Sequence, residues 1–282
     1  MGAMEQARER ARARGARVVF PEMDEPRVAE AARALAADGL CAPVPVGEVT
    51  DAQVAAVVEG RGMREAMARR LLAKPLMRAA AMVAAGEADA MVAGAAAPTR
   101  RVIEAAGMCV GLAPGMIPSS FFLMAFPDGR EMVWADCAVA VAPDAAALAA
   151  IARASEASAR ALLGRAEVAL LSYSTGASGA GESVDRVRAA AEATGFAGPV
   201  QADAALDAAV GARKGVALGQ VNTLVFPSLD AGNIAYKLAQ ELAGARAVGP
   251  ILQGFAKPVC DLSRGARAAD IVDATVLTCA MA

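Results

Sequence analysis

The segment KPVCDLSRGARAADIV, residues 257–272, places several polar side chains in a predicted loop that leads into a predicted helix. The Arg264 guanidinium is a planar donor fork suited to a phosphate or a carboxylate, and the residue before it, Ser263, carries a hydroxyl. A helix predicted from about residue 267 would add its positive end, and Asp270 in its first turn is either a reactive acid or an ordinary complement to the helix dipole. The segment therefore predicts an anion site. Its polar side chains include Asp261, Ser263, Arg264 and Asp270.

A second segment, SYSTGASGAGES at 172–183, lies between a predicted buried strand and a predicted helix. Its glycines at 176, 179 and 181 would let backbone N–H groups approach an anion at the helix N-terminus. The G-x-x-G-x-G spacing differs from the dinucleotide-binding pattern, and no Gly-Lys-Ser/Thr follows as in a P-loop. The alternative is a flexible turn in which Ser178 or Ser183 caps the helix.

A third segment, FPSLDAGNIAYKLAQEL at 226–242, predicts a turn that leads into a helix. Asp230, Gly232 and Asn233 would form the turn, and Lys237 follows on the helix. This pattern fits an ordinary helix cap as well as a binding site, because short polar residues favour both caps and turns.

Composition excludes several classes of active site. The 282 residues include no histidine, which removes Ser-His-Asp and Cys-His nucleophiles and every histidine metal site. The net charge of −2 argues against nucleic acid as a partner, although a few arginines can still hold a small anion. The 5 cysteines show no C-x-x-C pair, and the N-terminus shows no signal-peptide run. We therefore expect reduced thiols, a cytoplasmic location and a solvated first helix.

Predicted strands and helices alternate along the chain, which indicates an α/β fold with mostly parallel sheets. Asp128-Gly129 predicts a hairpin turn. Residues 105–127 carry no charge, but their prolines and glycines indicate loops rather than a membrane helix, so no membrane partner is expected. The predicted strands are 16–21, 43–47, 89–94, 119–126, 131–141, 167–173, 198–201, 222–226 and 247–253. The predicted helices are 26–38, 62–85 with an interruption before Pro75, 99–109, 144–163, 182–194, 204–212, 231–243 and 267–281.

Several segments resemble the phosphate acetyltransferase family, which includes malic-enzyme-fused and butyryl relatives. The most specific is VFPSLDAGNIAYKLAQELAGARAVGPILQGFAKPVCDLSRG at 225–265. Others match in order: FPEMDEPRV (20–28), ADAMVAGA (88–95), VWADCAVA (133–140) and SYSTGASGAGESVDRVR (172–188). The resemblance implies two α/β domains of the isocitrate/isopropylmalate-dehydrogenase-like fold with an interdomain cleft, in a homodimer. The expected domains are residues 1–118 with 249–282, and residues 119–248.

The same resemblance implies reversible transfer of an acyl group, most simply acetyl, between coenzyme A and inorganic phosphate. It implies that Asp270 takes the thiol proton of coenzyme A, Ser263 stabilises the tetrahedral state and Arg264 holds the phosphate. Because an aspartate is a much weaker base than a thiolate, we expect Asp270 to be at least partly desolvated in the closed state.

Substrate contacts are implied for a further set of residues. Coenzyme A, acyl phosphate and phosphate are the expected partners, with no tightly bound cofactor and no metal. Cys137 matches a cysteine near the cleft that is not essential to the chemistry. The implied substrate-binding residues are Arg100, Ser174, Thr175, Gly176, Ser178, Gly179, Asn233, Lys237, Gln253, Lys257 and Cys137.

Some positions depart from the family pattern. Glu104 stands where an arginine is usual, and Arg100, one helical turn earlier, is the candidate replacement. Cys260 replaces an asparagine, Ala266 a cysteine, and Arg267 a capping serine. These differences leave two alternatives open: the same chemistry on butyryl or another longer acyl group, and a diverged domain that binds acyl-CoA or acyl phosphate without turnover. A dehydrogenase is disfavoured, because no clustered aspartates and no nucleotide fingerprint are present.

Overall fold

The computed structural model describes residues 2–216 and 218–282. The chain forms two compact units, one comprising Met1–Pro114 with Gly249–Ala282 and the other comprising Gly115–Val248. Each unit contains both strands and helices, so the predicted α/β class is confirmed.

The first unit contains strands in the order β2–β1–β3–β10–β9. The first four are parallel, whereas β9 pairs antiparallel with β10 through Ile251 and Cys260. Strand β9 begins in the other unit. The elements are α1 (Ala3–Arg14), β1 (Arg17–Val19), α2 (Pro26–Ala37), β2 (Ala42–Val44), α3 (Asp51–Arg61), α4 (Glu65–Leu72), α5 (Pro75–Ala84), β3 (Ala90–Ala93), α6 (Thr99–Ala105) with a π-helical turn at Ala106–Val110, β9 (Arg246–Gln253), β10 (Val259–Asp261) and α12 (Ala268–Met281).

The second unit contains strands in the order β4–β5–β8–β6–β7. Strands β4 and β5 form the predicted hairpin, and the pairs β5–β8, β8–β6 and β6–β7 are parallel. The elements are β4 (Ser119–Ala125), β5 (Glu131–Ala135), α7 (Ala145–Leu163), β6 (Val168–Leu171), α8 (Glu182–Thr194), β7 (Ala197–Val200), α9 (Ala202–Leu206), α10 (Ala208–Arg213), β8 (Thr223–Val225) and α11 (Leu229–Ala243).

Short apolar strands and alanine-rich helices build the cores. All residues of β3 and β6 are buried, as expected of parallel strands covered on both faces. Helix α1 buries Ala3, Ala7 and Ala11 on one face, and Arg8 donates to Asp273 of α12 at 2.6 Å. The prediction of a solvated first helix is therefore wrong for that face, because small side chains at this spacing let two helices approach closely.

Several predicted elements differ from the observed ones, among them the predicted 204–212 helix, which is the two helices α9 and α10. Helix α3 was missed, although Thr50 and Gln53 form a capping box at its start. The interruption expected before Pro75 within 62–85 is confirmed, because α4 ends at Leu72 and α5 begins at Pro75. Strand β5 ends at Ala135, since the next residues turn around the Asp136 carboxylate. Strand β10 lies where a loop was predicted, because its three residues are too short a run to show a strand pattern.

Two further expectations concern membrane helices and thiols. Within the described ranges, no helix combines the length and the apolar character that crossing a bilayer would require. All five cysteines are free and buried, in agreement with the predicted reduced thiols.

Candidate active site

The loop between β10 and α12 presents Ser263 and Arg264 at the surface. Strand β10 ends at Asp261, which is 1% exposed, while Ser263 and Arg264 are exposed and α12 begins at Ala268. The chain therefore leaves a buried sheet, exposes two polar side chains and returns into a helix within a few residues. Residues 262–267 are named the serine–arginine loop below.

The backbone of this loop is held at several points. Leu262 N–H donates to the carbonyl oxygen of Ala93 at 2.6 Å. The Arg27 guanidinium, on α2, donates through Nη1 to the carbonyl oxygens of Arg264 (2.9 Å) and Ala266 (2.7 Å). Because three residues of the loop are tied to neighbouring elements, the loop has a defined shape without a ligand.

The two side chains at the tip of the loop are available to a ligand. Across the described part of the chain, the Arg264 guanidinium has no hydrogen bond or ion pair. The Ser263 hydroxyl oxygen accepts a bond from Gly265 N–H at 3.3 Å, which leaves its own hydrogen to donate. A free guanidinium beside a hydroxyl donor can hold a phosphate or a developing oxyanion.

Asp270 lies in the first turn of α12, as predicted, and caps it. Its carboxylate accepts from the Arg267 backbone N–H (2.9 Å) and from the Arg267 guanidinium (3.0 Å). This pair raises the pKa of Arg267, chiefly through the hydrogen bond. The Asp270 side chain is 45% exposed. The capping role is therefore present, and the desolvation expected in a closed state stays a prediction.

Asp261 is a second acid, buried behind the loop. Its Oδ2 accepts from the Thr99 hydroxyl at 2.6 Å, and among the described residues its Oδ1 has no hydrogen-bond partner. Burial raises the pKa of Asp261 to about 6; the Thr99 bond opposes this shift and the charge of Glu22 adds to it. An acid that the sequence placed in a loop thus ends a buried strand.

The turn after β3 closes around a carboxylate from elsewhere in the unit. The backbone N–H groups of residues 94–97 all donate to Glu22, which follows β1. Gly94 has φ +108°, and a Cβ there would lie 2.5 Å from Asp261 Oδ1, so only glycine fits. Residues 94–97 with this carboxylate are named the Glu22 turn.

Helix α6, which follows that turn, carries the departure at Glu104. Glu104 pairs with Arg101 at 2.7 Å, and this bond lowers the pKa of Glu104. Arg100 is exposed near the start of the helix. Glu104 thus has a partner on its own helix, and the replacement of the usual arginine by Arg100 stays a prediction.

Two backbone amides of the glycine-rich loop after β6 donate hydrogen bonds to other groups of the protein. Gly176 N–H donates to the carbonyl oxygen of Pro199 at 3.0 Å, and Gly179 N–H donates to the Ser174 hydroxyl at 2.8 Å. These two amides therefore donate within the protein instead of toward an anion. Helix α8 is capped by Gly181 without a side-chain bond, so the serine-cap alternative is wrong.

The hydroxyl groups of the same loop are also engaged. Thr175 Oγ1 donates to Gln201 Oε1 at 3.2 Å, and Ser178 Oγ accepts from Thr175 N–H at 3.0 Å. Ser174 and Thr175 are buried, whereas Ser178 is exposed. The loop is internally fixed, and its predicted contacts with substrate stay predictions.

The third segment differs from its predicted geometry. Helix α11 already begins at Leu229, with Ser228 as its cap, so Asp230, Gly232 and Asn233 lie within the helix. Asn233 Nδ2 donates to the carbonyl oxygen of Cys137 at 3.0 Å. Its amide therefore holds the turn that follows β5.

Cys137 and Lys237 show no sign of reactivity. Burial raises the pKa of the Cys137 thiol, and the Asp136 charge raises it further, so the thiol stays neutral and enclosed. The Lys237 ammonium lies 5.0 Å above the Tyr236 ring, a cation–π contact. These positions agree with a structural role for Cys137.

Two predicted substrate contacts lie near the ends of elements. Lys257 Nζ donates to the carbonyl oxygens of Val83 (2.8 Å) and Ala84 (3.1 Å) at the C-terminal end of α5. This satisfies helix carbonyls and favours the helix dipole. Gln253, the last residue of β9, is 5% exposed. Contact of either residue with substrate stays a prediction.

The structure groups the predicted residues within each unit. In the first unit, Ser263, Arg264 and Asp270 share one loop and helix start. In the second unit, residues 174–179 form one loop, and Asn233 contacts Cys137. Within residues 2–216 and 218–282, no cluster of three or more cysteine, aspartate and glutamate residues could hold a metal ion.

Sequence analysis missed three organising residues: Glu22, Arg27 and Asp136. The first two lie in FPEMDEPRV and the third in VWADCAVA. The resemblance of those segments to the family was the one indication that they matter, because their partners are not visible in spacing.

The chain is similar to proteins of known family over almost its whole length. A family model described as Phosphate acetyl/butaryl transferase matches residues 3–57 and 51–279. The phosphate acetyltransferase of Paracoccus denitrificans is 41% identical, over 99% of this chain and 98% of that protein. The phosphate acetyltransferase of Pseudomonas aeruginosa is 40% identical over 96% of this chain, which spans 44% of that longer protein.

Two solved structures have a similar fold. A phosphotransacetylase from Streptococcus pyogenes matches with a TM-score of 0.91 and 33% identity, over 99% of this chain and 97% of that chain. A putative 4-hydroxythreonine-4-phosphate dehydrogenase from Salmonella typhimurium shares the fold alone, with a TM-score of 0.54 and 14% identity, over 95% of this chain and 99% of that chain. The predicted dehydrogenase-like fold is confirmed. The chain belongs to the phosphate acetyl/butyryl transferase family, a family of transferase enzymes.

Proposed function

We propose that this chain transfers an acetyl group reversibly between coenzyme A and inorganic phosphate, with acetyl phosphate as the activated partner. One observation carries the proposal: at the tip of the serine–arginine loop, Ser263 and Arg264 are consecutive exposed residues, and the Arg264 guanidinium has no partner among the described residues. A guanidinium fork matches the oxygens of a phosphate, and a fixed donor next to it matches an acyl oxygen.

The reaction needs positioning rather than a covalent enzyme intermediate. The sulfur of coenzyme A forms a bond to the carbonyl carbon of acetyl phosphate. The bond from that carbon to the phosphate oxygen breaks, and the oxygen leaves with the electron pair. In the proposed roles Arg264 holds the leaving phosphate and Ser263 donates to the oxyanion. Holding two bound reactants in line can supply up to about 7–11 kcal/mol.

The proton on the thiol needs an acceptor, and Asp270 is the proposed one. Its carboxylate is bonded to Arg267 through Nε and Nη2, both at 3.0 Å. We therefore propose that substrate binding opens this pair, after which the carboxylate takes the thiol proton and passes it to the leaving phosphate. Arg267 is 81% exposed, so its side chain has room to move.

The remaining family properties are part of the proposal. Coenzyme A and acyl phosphate are the proposed substrates, contacted by Arg100, Asn233, Lys237, Gln253, Lys257, Cys137 and the loop at 174–179. A cytoplasmic homodimer is proposed as well. In its support, α11 exposes Ile234 (57%), Leu238 (51%) and Leu242 (81%) at helical spacing, an apolar face that favours association.

The test is thioester formation from acetyl phosphate and coenzyme A, followed at the thioester absorbance. Arg264→Ala should lower kcat/KM for acetyl phosphate about 100-fold or more, since it removes a charged donor aimed at the phosphate. Asp270→Asn should lower kcat by about 100-fold or more, as loss of a general base does. Arg33→Ala, an exposed arginine of α2, is the matched control and should stay within about twofold.

Two results would reject the proposal. One is full turnover by Arg264→Ala. The other is binding of acetyl phosphate by the unmodified chain without thioester formation, as the non-catalytic alternative requires. Butyryl phosphate in the same assay compares acyl groups: a higher kcat/KM than for acetyl phosphate would replace acetyl by a longer chain.

A further inference from the structure

Four consecutive backbone amides in the first unit converge on one carboxylate. Gly94 and Ala95 donate to Glu22 Oε2, both at 2.8 Å, and Ala96 and Ala97 donate to Oε1 at 3.1 and 2.6 Å. Successive N–H groups arranged in this way form an anion-binding concavity. In this chain the anion is supplied by the protein itself.

The turn that Glu22 closes is joined directly to the serine–arginine loop. Leu262 N–H donates to the carbonyl oxygen of Ala93, the residue before the turn, at 2.6 Å. The hydroxyl of Thr99, after the turn, donates to Asp261 at 2.6 Å. Arg27 Nη2 donates to the carbonyl oxygen of Ala95, within the turn, at 3.3 Å. Since Arg27 also holds the carbonyl oxygens of the serine–arginine loop, the two segments share their supports.

We propose that Glu22 is a positioning residue for acyl transfer: its carboxylate fixes the turn at 94–97, and that turn fixes the loop that carries Ser263 and Arg264. The proposal rests on the proposed function for its kinetic consequence. Its structural part, that Glu22 holds the serine–arginine loop, stands apart from any activity. Glu22 touches no reacting atom in this scheme and acts through the two segments that it joins.

The contact uses both carboxylate oxygens of Glu22 as acceptors. Two carboxylate oxygens can each accept two hydrogen bonds, which matches the four amides. In a glutamine of the same shape, one oxygen is replaced by an NH₂ group, which would face two N–H donors. Glu22→Gln therefore changes the bonding at almost constant volume. Glu22→Asp keeps the charge on a shorter side chain and is the conservative variant.

The first test is amide hydrogen exchange, compared between the unmodified chain and each variant. In Glu22→Gln, the two amides that face the new NH₂ group lose their acceptor, and the segment 94–97 should exchange about tenfold faster or more. The amides of Leu262 and Ala266 should speed up with them. Asp24→Asn, an equal charge change at an exposed residue of the same connection, is the matched control and should leave both segments unchanged.

The second test separates positioning from general destabilisation by kinetics below the unfolding transition. Glu22→Gln should lower kcat/KM for acetyl phosphate about tenfold or more and leave KM for coenzyme A within about twofold, because Arg264 is proposed to hold phosphate. Glu22→Asp should recover part of the loss. A rise in KM for coenzyme A as large as the rise in KM for acetyl phosphate would overturn the proposal. Faster exchange at 94–97 with unchanged exchange in the serine–arginine loop would overturn it too.

The two proposals fail in different ways. If the unmodified chain forms no thioester, the proposed function is wrong, and hydrogen exchange alone still decides whether Glu22 holds the loop. If Glu22→Gln does not fold, Glu22→Asp is measured in both assays, with exchange at 94–97 and at 262–266 expected to rise together. Faster exchange at 94–97 of Glu22→Asp with unchanged exchange at 262–266 would overturn the inference.

Discussion

Two strand-end turns, one in each unit, close around a carboxylate, and they obtain it from different distances along the chain. After β5, Asp136 accepts from the amides of residues 138–140 at 2.8–3.1 Å and from the Ser120 hydroxyl at 2.5 Å. Residues 136–140 are named the Asp136 turn. In the Glu22 turn, the carboxylate comes from 72 residues before Gly94. The first turn organises itself, whereas the second joins two strands.

The difference in distance sets what each carboxylate can do. A bond within a few residues closes a small loop at little entropic cost, and it stabilises that loop alone. A bond over a long separation forms only when β1 and β3 are already side by side. It therefore makes the shape of the Glu22 turn depend on the whole unit, and it couples that turn to the serine–arginine loop.

The largest effect is expected at the buried turn. Asp136 is 2% exposed, and Asp136→Ala removes the acceptor of three amides and one hydroxyl. Because an unsatisfied buried group costs about 1–3 kcal/mol, and the Ser120 hydroxyl is buried while the amides of 138–140 are half-buried, the free energy of unfolding should fall by about 4 kcal/mol. Glu22→Ala should lower it by about 2 kcal/mol, since Glu22 itself is half-buried, whereas Asp136 is buried, and the Ala96 donor of Glu22 is exposed. Urea unfolding measures both.

A control sets the scale for a carboxylate that bonds a single amide. Asp144 caps α7 by accepting from Ala147 N–H at 2.8 Å and is exposed. Asp144→Ala should lower the free energy of unfolding by about 1 kcal/mol. A loss for Asp136→Ala no larger than for Glu22→Ala would remove the distinction between the two turns.

The same distinction explains how much of the fold was predictable. Helices α2 and α8 were predicted within a residue, because proline, glycine and apolar spacing are local features. The Asp136 turn was hidden in a predicted strand at 131–141, since its apolar run outweighed one aspartate. The Glu22 turn could not be predicted at all, because nothing in the sequence near Glu22 refers to residues 94–97.

The site shows a similar division. The chemistry of Ser263, Arg264 and Asp270 could be proposed from residue types and family resemblance. The hydrogen-bond partners of the neighbouring residues could not be predicted. Arg267 pairs with Asp270, and Lys257 bonds the end of α5, because side-chain conformation and tertiary contact decide these partners.

Asp261 provides a contrast with Asp136 and Glu22, because its contribution to the free energy of unfolding should depend on pH. Asp261 is buried with one oxygen unbonded among the described residues, and its pKa is raised from 3.8 to about 6. The folded state then holds the proton more tightly than the unfolded state. The contribution of Asp261 to stability is therefore full below about pH 4, falls as the pH rises to about 6, and is constant above it. The whole decline corresponds to about 3 kcal/mol.

Asp261→Asn should remove this decline, because the amide stays neutral and can still accept from Thr99. At pH 7 its free energy of unfolding should exceed that of the unmodified chain by up to about 3 kcal/mol, and at pH 4 the two should agree. Urea unfolding at several pH values measures this. Asp24→Asn, at an exposed position, should keep the decline. An unchanged decline in Asp261→Asn would show that another group causes it.

A further effect concerns the packing of helix α11 on the Asp136 turn. A Cβ at Gly232 of α11 would lie 2.3 Å from the carbonyl oxygen of Asp136 and 3.0 Å from Cys137 Sγ. Helix and turn must separate to admit a methyl group, so Gly232→Ala should lower the free energy of unfolding by about 2 kcal/mol. Gly60 in α3 has no atom within 4 Å of such a Cβ, so Gly60→Ala should raise it by about 1 kcal/mol through helix propensity. Opposite signs in urea unfolding would attribute the loss to close packing on the turn. Equal signs would mean that the turn yields easily, and that its carboxylate holds it less firmly than its hydrogen bonds indicate.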